Sequence, residues 1–248
     1  MKFKKKLLEG VLLQRYKRFF ADIEYKGEKI TIHVPNTGSL KGVIEKNQQQ
    51  KCWFSLHGDE TKKLKGTLEA VQATNGTWVG VNTSNPNKIV SEAIQQGIDS
   101  GQSHFAHWSG YGFYKSECKI SDETRLDGVL YKKAAEFKKH YIEIKNTTLA
   151  DDFNGRRVAL FPDAVTLRGQ KHIFEMMRLI DQGHKAELIF TIQRNDVTAF
   201  SVAKDIDPAY AKLLKQAQKK GLIISPVLVA IDQTQIYLTK KILDFIAT

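Results

Sequence analysis

A change of hydrophobic rhythm divides the chain at Asn82-Thr83-Ser84-Asn85-Pro86-Asn87, a polar, proline-containing stretch. Ahead of it lie short runs rich in β-branched and aromatic residues, separated by turn residues. Behind it, runs with a 3.6-residue period alternate with runs of period two. The first pattern builds strands alone; the second requires helices packed on a sheet. The strand-like runs are residues 12–25, 29–34, 51–56 and 77–81, with a less regular one at 67–73. Lys26-Gly27-Glu28 and Pro35-Asn36-Thr37-Gly38 supply turns, since Pro presets φ while Asn and Gly tolerate the left-handed region. Five short strands in residues 1–85 predict a small β-barrel of the oligonucleotide-binding (OB) type.

Residues 86–248 read as an α/β domain. Helical spacing starts at Ile89, Val90, Ala93 and Ile94 and closes at Gly97. Strands are expected at 114–120, 125–131, 141–145, 186–193 and 222–231, and helices at 162–183 and 208–220. In the first of these helices Ile173, Met176, Met177 and Ile180 form one apolar stripe, with Asp163 expected to cap the N-terminus.

Charge adds a partner class. Lys+Arg number 38 against 27 Asp+Glu, a net +11, and residues 1–85 alone carry 15 against 8. Such a surplus suits a polyanion, but composition does not separate DNA from RNA or acidic lipid. The 13 Phe, 8 Tyr and 3 Trp exclude a natively unfolded chain. No run approaches the roughly 20 apolar residues of a membrane helix. Glu9, Gln14 and Arg15 interrupt what would be the apolar part of an export signal, so a cytoplasmic protein without membrane association is expected. Cys52 and Cys118 are isolated, which removes a disulfide framework and a cysteine zinc site. His104 and His107 lack an acid at metal spacing, and no serine or cysteine nucleophile is indicated.

The informative constellation is Arg125-Leu126-Asp127, followed after fifteen residues by Glu143-Ile144-Lys145. On a strand Glu143 and Lys145 share a face, with Ile144 on the other. Were the two segments neighbouring strands, Asp127 would sit beside Glu143. Paired carboxylates are costly without a cation between them. Mg²⁺ or Mn²⁺ suits such oxygen donors, with the Ile144 carbonyl as a further ligand and Lys145 orienting or helping to deprotonate an attacking water. Acid-x-Lys is common here, also occurring at Glu24/Lys26, Glu60/Lys62, Glu117/Lys119 and Glu136/Lys138. The spacing alone fits a surface cross-strand ion pair equally well.

Residues 125–172 resemble the SfsA (sugar fermentation stimulation protein A) family. The runs that carry the resemblance are Thr124-Arg125-Leu126-Asp127, Tyr141-Ile142-Glu143-Ile144-Lys145-Asn146-x-Thr148-Leu149 and Phe161-Pro162-Asp163-Ala164-Val165-Thr166-x-Arg168-Gly169-Gln170-Lys171-His172. It extends through Leu13-x-Arg15-Tyr16-Lys17-Arg18-Phe19, Pro35-Asn36-Thr37-Gly38, Val81-Asn82-Thr83-x-x-Pro86-Asn87 and Gly110-Tyr111, so it covers essentially the whole chain. Gly128, Thr147 and the acidic stretch before Arg125 depart from the family pattern. The resemblance implies an OB-like barrel joined to a restriction-endonuclease-like PD-(D/E)xK domain, DNA binding, and a regulatory role in sugar (maltose-type) metabolism. It places nuclease-like carboxylates on Asp127 and Glu143, with Lys145 as partner and Glu117 as a further acid toward the metal.

Arg168 and His172 stand i, i+4 on the expected helix and are candidate phosphate ligands, with a solvated arginine and a structural histidine as the alternatives. Near the N-terminus Arg15, Lys17 and Arg18 interleave with Tyr16, Phe19 and Phe20, a pattern suited to phosphates and stacked bases. The combined expectation is a non-specific binder of single- or double-stranded DNA with an Mg²⁺- or Mn²⁺-dependent nuclease site. Its rival is a binding-only regulator. RNA as the polyanion and the oligomeric state, homodimer included, stay open.

Overall fold

The structure, a computed structural model, describes residues 1–58, 61, 63–133 and 138–246. Glu60, Lys62 and Glu136, from two of the acid-x-Lys triplets, lie outside the described residues. No described helix is long and apolar enough to cross a membrane.

The N-terminal strands wind into a closed barrel. β1 (Leu8–Tyr16), β2 (Phe20–Tyr25) and β3 (Glu28–His33) form a meander, and β4 (Gln50–Leu56) pairs with the free edge of β1. β5 (Gly66–Gln72) follows β4, meets β3 through His33 and Thr67, and carries the short β6 (Trp78–Gly80) on its far side. Closure removes the exposed edges that a small open sheet would present. Leu12, Ile23, Ile32, Phe54, Leu68 and Val71 fill the interior.

The segment expected as one strand over 12–25 is two. Lys17 and Arg18 both adopt positive φ, 46° and 62°, and reverse the chain so that Tyr16 pairs with Phe20. Two consecutive left-handed residues give a turn whose twist matches the flanking strands. Since neither is Gly or Asn and the aromatic–basic composition runs straight through, the turn leaves no signal in the sequence.

The second domain runs α1 (Asn85–Ser100), β7 (Phe113–Lys119), β8 (Arg125–Tyr131), β9 (His140–Thr147), β10 (Ala150–Phe153), β11 (Arg156–Phe161), α2 (Leu167–Asp181), β12 (Lys185–Ile192), β13 (Ala199–Val202), α3 (Pro208–Lys219), β14 (Ile223–Ile231), β15 (Ile236–Ile242) and β16 (Asp244–Phe245). The main sheet has the order β15-β14-β12-β9-β8-β7, with β9, β12 and β14 parallel at its centre. Helix α1 packs on one face through Ile89, Val90 and Ile94 against Ile142, Ile144 and Ile189. Helices α2 and α3 cover the other, where Ile173, Met176, Leu213 and Leu214 meet Leu188 and Phe190. Burial on both faces explains the unbroken apolar character of β12. A smaller sheet, β10-β11-β13-β16, escapes sequence reasoning because its strands are short and mixed in polarity.

Two contacts between the domains position the site. Buried Glu69 on β5 accepts hydrogen bonds from Asn82 Nδ2 (2.9 Å) and Asn85 Nδ2 (3.0 Å), tying the barrel to the first residue of α1. Asp163 Oδ2 accepts from the Ser39 backbone amide at 2.9 Å. A Cβ on Gly38 would lie 2.6 Å from that same carboxylate oxygen, so any other residue here would displace the Asp163 carboxylate. Asp163 therefore does not cap α2. The helix begins four residues later than its expected cap, at Leu167, with Thr166 Oγ1 accepting from Gly169 N at 3.1 Å.

Gly128, one of the departures from the family pattern, also has a steric cause. A Cβ there would fall 2.5 Å from the Tyr114 hydroxyl, which is hydrogen-bonded to Ser91 Oγ on α1.

Candidate metal centre and nucleic-acid interface

Strands β8 and β9 are antiparallel neighbours, and this pairing brings Asp127 to Glu143. Asp127 Oδ2 accepts from the Ile144 amide at 2.7 Å, and its Oδ1 accepts from Asn87 Nδ2 in the first turn of α1, also at 2.7 Å. Glu143 is 3 % exposed and faces α2. Its Oε1 receives Lys145 Nζ and His172 Nδ1, each at 2.5 Å, while Oε2 is buried without a hydrogen-bond partner. Arg168 Nε lies 3.5 Å from His172 Nε2. The hydrogen-bond network thus assigns His172 the tautomer with the proton on Nδ1, completing a chain from Arg168 through His172 to Glu143.

The electrostatics of the carboxylates differ. Burial first, then repulsion from Glu143, pushes Asp127 up to about 6, against the hydrogen bonds from Ile144 and Asn87. Burial would raise Glu143 too, but the Lys145 ammonium and the His172 hydrogen bond outweigh it and hold this carboxyl below the ordinary glutamate value. The pair is short of positive charge at Asp127 and at Glu143 Oε2. An orphaned carboxylate oxygen beside a second carboxylate fits a small hard cation. Among the described residues no group of three or more His, Cys, Asp and Glu side chains is disposed to hold an ion. A cation here would rest on two carboxylates completed by main-chain or water oxygens, the manner of Mg²⁺.

The site opens into a cleft of about 350 Å³ between the domains, lined by Asp127, Glu143, Lys145, Asn87, Thr83 and Arg168 among others. Asp127, Glu143, Lys145, Arg168 and His172 are therefore brought together. His172 is 5 % exposed and meets the cleft through its partners Glu143 and Arg168. Glu117 does not join them. It sits at positive φ (53°) on β7, its side chain 73 % exposed and paired with Arg125 at 3.1 Å. Asn87 is the residue that sequence reasoning missed. It lay inside a recognised run, but only the packing of α1 on the sheet turns its amide onto Asp127.

The three N-terminal cations separate as well. Arg15 spends its guanidinium on four backbone carbonyls, those of Arg18 (2.9 Å), Asn36 (2.7 Å), Gly38 (3.0 Å) and Ser39 (3.3 Å). It clamps the 36–39 loop against the barrel and has little left for a phosphate. Lys17 and Arg18 stand exposed at the hairpin tip, beside the stacked rings of Tyr16 and Phe20 at 5.6 Å and the exposed Phe19. Arg15→Ala is expected to lower stability by about 1–3 kcal/mol in urea unfolding. Lys17→Ala and Arg18→Ala should stay within about 0.5 kcal/mol of the native value. Each of these two should instead reduce the slope of log affinity for DNA against log salt by about one. A reduced slope with unchanged stability for Arg15→Ala would contradict the clamp.

A closed OB barrel latched to a restriction-endonuclease-like sheet defines a two-domain protein of nuclease-like architecture. The SfsA N-terminal OB domain model matches residues 13–81, and the sugar fermentation stimulation protein RE domain model matches residues 84–235. A sugar fermentation stimulation protein homolog from Bdellovibrio bacteriovorus is 49% identical over 246 residues, 98% of each chain. One from Shewanella baltica is 37% identical over 242 residues, 97% of each. The structure of Pyrococcus furiosus SfsA in complex with Ca²⁺ superimposes with a TM-score of 0.79 at 22% identity, covering 100% of this chain and 98% of that one. The chain belongs to the SfsA family.

Proposed function

We propose that this protein binds DNA non-specifically and hydrolyses its phosphodiester bonds with the help of Mg²⁺ or Mn²⁺ held by Asp127 and Glu143. The observation that carries this reading is Glu143 Oε2, a carboxylate oxygen buried without a partner beside a second carboxylate. The Pyrococcus furiosus relative is described in complex with Ca²⁺, a cation with the same preference for oxygen. When bound, such a cation polarises the scissile phosphate and lowers the pKa of a coordinated water.

The chain's own groups divide the remaining work. Lys145, its side chain 15% exposed at the cleft, orients the water and offsets charge on the phosphate. Exposed Arg168 holds a phosphate oxygen, and His172 keeps both Arg168 and Glu143 in register. Asn87 and the Ile144 amide fix the Asp127 carboxylate. In the hydrolysis the water oxygen bonds to phosphorus, one ester oxygen leaves, and the water's proton ends on the leaving oxygen by way of solvent. The hairpin-tip cations, cytoplasmic in setting, supply affinity for the backbone without reading bases.

The test is incubation of the purified protein with single- and double-stranded DNA and RNA in Mg²⁺, Mn²⁺ or EDTA. Cleavage that requires the cation and fails in Asp127→Asn supports the reading. Salt-sensitive binding with no cleavage under any condition would instead leave the binding-only regulator of sugar metabolism.

A further inference from the structure

Beside the carboxylate cleft lies a second recess of about 150 Å³, and the two share Thr37, Thr83 and Asn146 in their walls. Its floor is the end of β9 after Lys145, and its far wall is the 36–38 loop that Arg15 clamps. Two polar atoms of that floor, Asn146 Oδ1 and Thr147 Oγ1, are buried with no hydrogen-bond partner, and Thr147 as a whole is 1% exposed. Buried polar groups in folded proteins are overwhelmingly paired, so an unpartnered hydroxyl on so buried a residue of the recess wall points to a ligand there.

The chemistry of the two recesses is complementary. The carboxylate cleft holds Lys145 and Arg168, whereas the second recess has no lysine or arginine among its lining residues. Its charged member, Asp163, is engaged by Ser39. A phosphate belongs in the first; the second favours a neutral group with polar edges. Leu149, Leu160 and Phe161 supply apolar surface for a ring face. A cavity of roughly this volume accommodates one six-membered ring.

We infer that this recess takes a single unstacked nucleobase, most readily a one-ring pyrimidine, from the strand whose phosphate occupies the carboxylate cleft. The inference rests on the phosphodiesterase reading above and narrows its substrate to single-stranded or locally opened nucleic acid, because a paired and stacked base does not enter a recess. Thr147 Oγ1 pairs with the polar edge of the base, and the apolar wall of Leu149, Leu160 and Phe161 receives its face.

The experiment compares two fluorescein-labelled decamers, decathymidylate and an abasic phosphodiester of equal length and charge, titrated into the full chain with Ca²⁺ by anisotropy. Decathymidylate is expected to bind about tenfold more tightly. In Thr147→Val that advantage should fall to near parity, with abasic binding unchanged. Removing an unpartnered buried hydroxyl does not cost stability, so the variant's unfolding temperature should equal or exceed the native one. Thr147→Leu, which fills the recess, should act in the same direction. An advantage that survives both substitutions overturns the base subsite, because it then arises elsewhere, for example at the Tyr16–Phe20 stack. Equal native affinity for the two decamers also overturns it while leaving the phosphate site standing. Failure of the native protein to bind either decamer overturns both readings.

Discussion

Lys145→Ala should lose about 10²–10⁴-fold in single-turnover cleavage, the range for removing a group that handles a proton or water in the transition state. The same change should lower stability by about 3 kcal/mol, because Glu143 is buried and the Lys145 ammonium lies 2.5 Å from its Oε1. The two effects separate in Lys145→Arg. A guanidinium restores positive charge near Glu143 and recovers most of the stability. Its planar fork cannot reproduce a compact ammonium at one point, so cleavage should stay depressed. The measurements are rapid-quench cleavage well below the unfolding transition and urea unfolding of each variant. Cleavage by Lys145→Ala within about threefold of native would remove Lys145 from the mechanism.

The second large effect lies on the opposite face of the same sheet, one register position from Glu143. Glu187 on β12 is fully buried and accepts from Trp108 Nε1 (2.7 Å), His107 Nε2 (2.8 Å) and Ser225 Oγ (2.5 Å), with His140 Nε2 at 3.1 Å. Glu187→Ala strips three donors of their acceptor and His140 of its charged neighbour and should cost about 3–5 kcal/mol. Burial alone would raise this carboxyl, but the hydrogen bonds from His107 and His140 outweigh it and hold Glu187 at about 2. Its folded pKa is below the ordinary value of 4.5, so the stabilisation is complete above that value and is lost as pH falls through about 2. Glu187→Gln keeps the shape and removes the titration, so urea unfolding between pH 5 and about 2 should show a flatter acid limb than the native protein. An unchanged limb would assign acid sensitivity to other carboxylates. His107, set aside in the sequence for want of a nearby acid, finds one 80 residues away.

Much of the architecture follows from local rules. The change of rhythm at 82–87 coincides with the start of α1 at Asn85, and the runs at 125–131, 208–220 and 222–231 became β8, α3 and β14 within a residue or so. Hydrophobic period and terminal glycines are properties of neighbouring residues, which the sequence displays directly. The exceptions have identifiable causes. Lys17 and Arg18 form a turn without turn residues because the two strands they join are held by the barrel. Thr166 rather than Asp163 caps α2 because Asp163 is committed to Ser39 in the other domain.

The candidate site divides along the same line. The sequence by itself determined the two-domain order, the acid-x-Lys strand with its upstream Asp127, and the family that carries them. Those are patterns of spacing, and spacing survives without coordinates. Only the tertiary structure decided that Glu117 turns away to Arg125, that Arg15 is a loop clamp, that His172 reaches Glu143 from a helix, and that Asn87 anchors Asp127. It also decided that Glu143, Asn146 and Thr147 keep polar atoms unpaired. The reason is that a side chain's partners, burial and remaining hydrogen-bonding capacity depend on groups far away in the chain, brought close only when sheet, helices and barrel pack together.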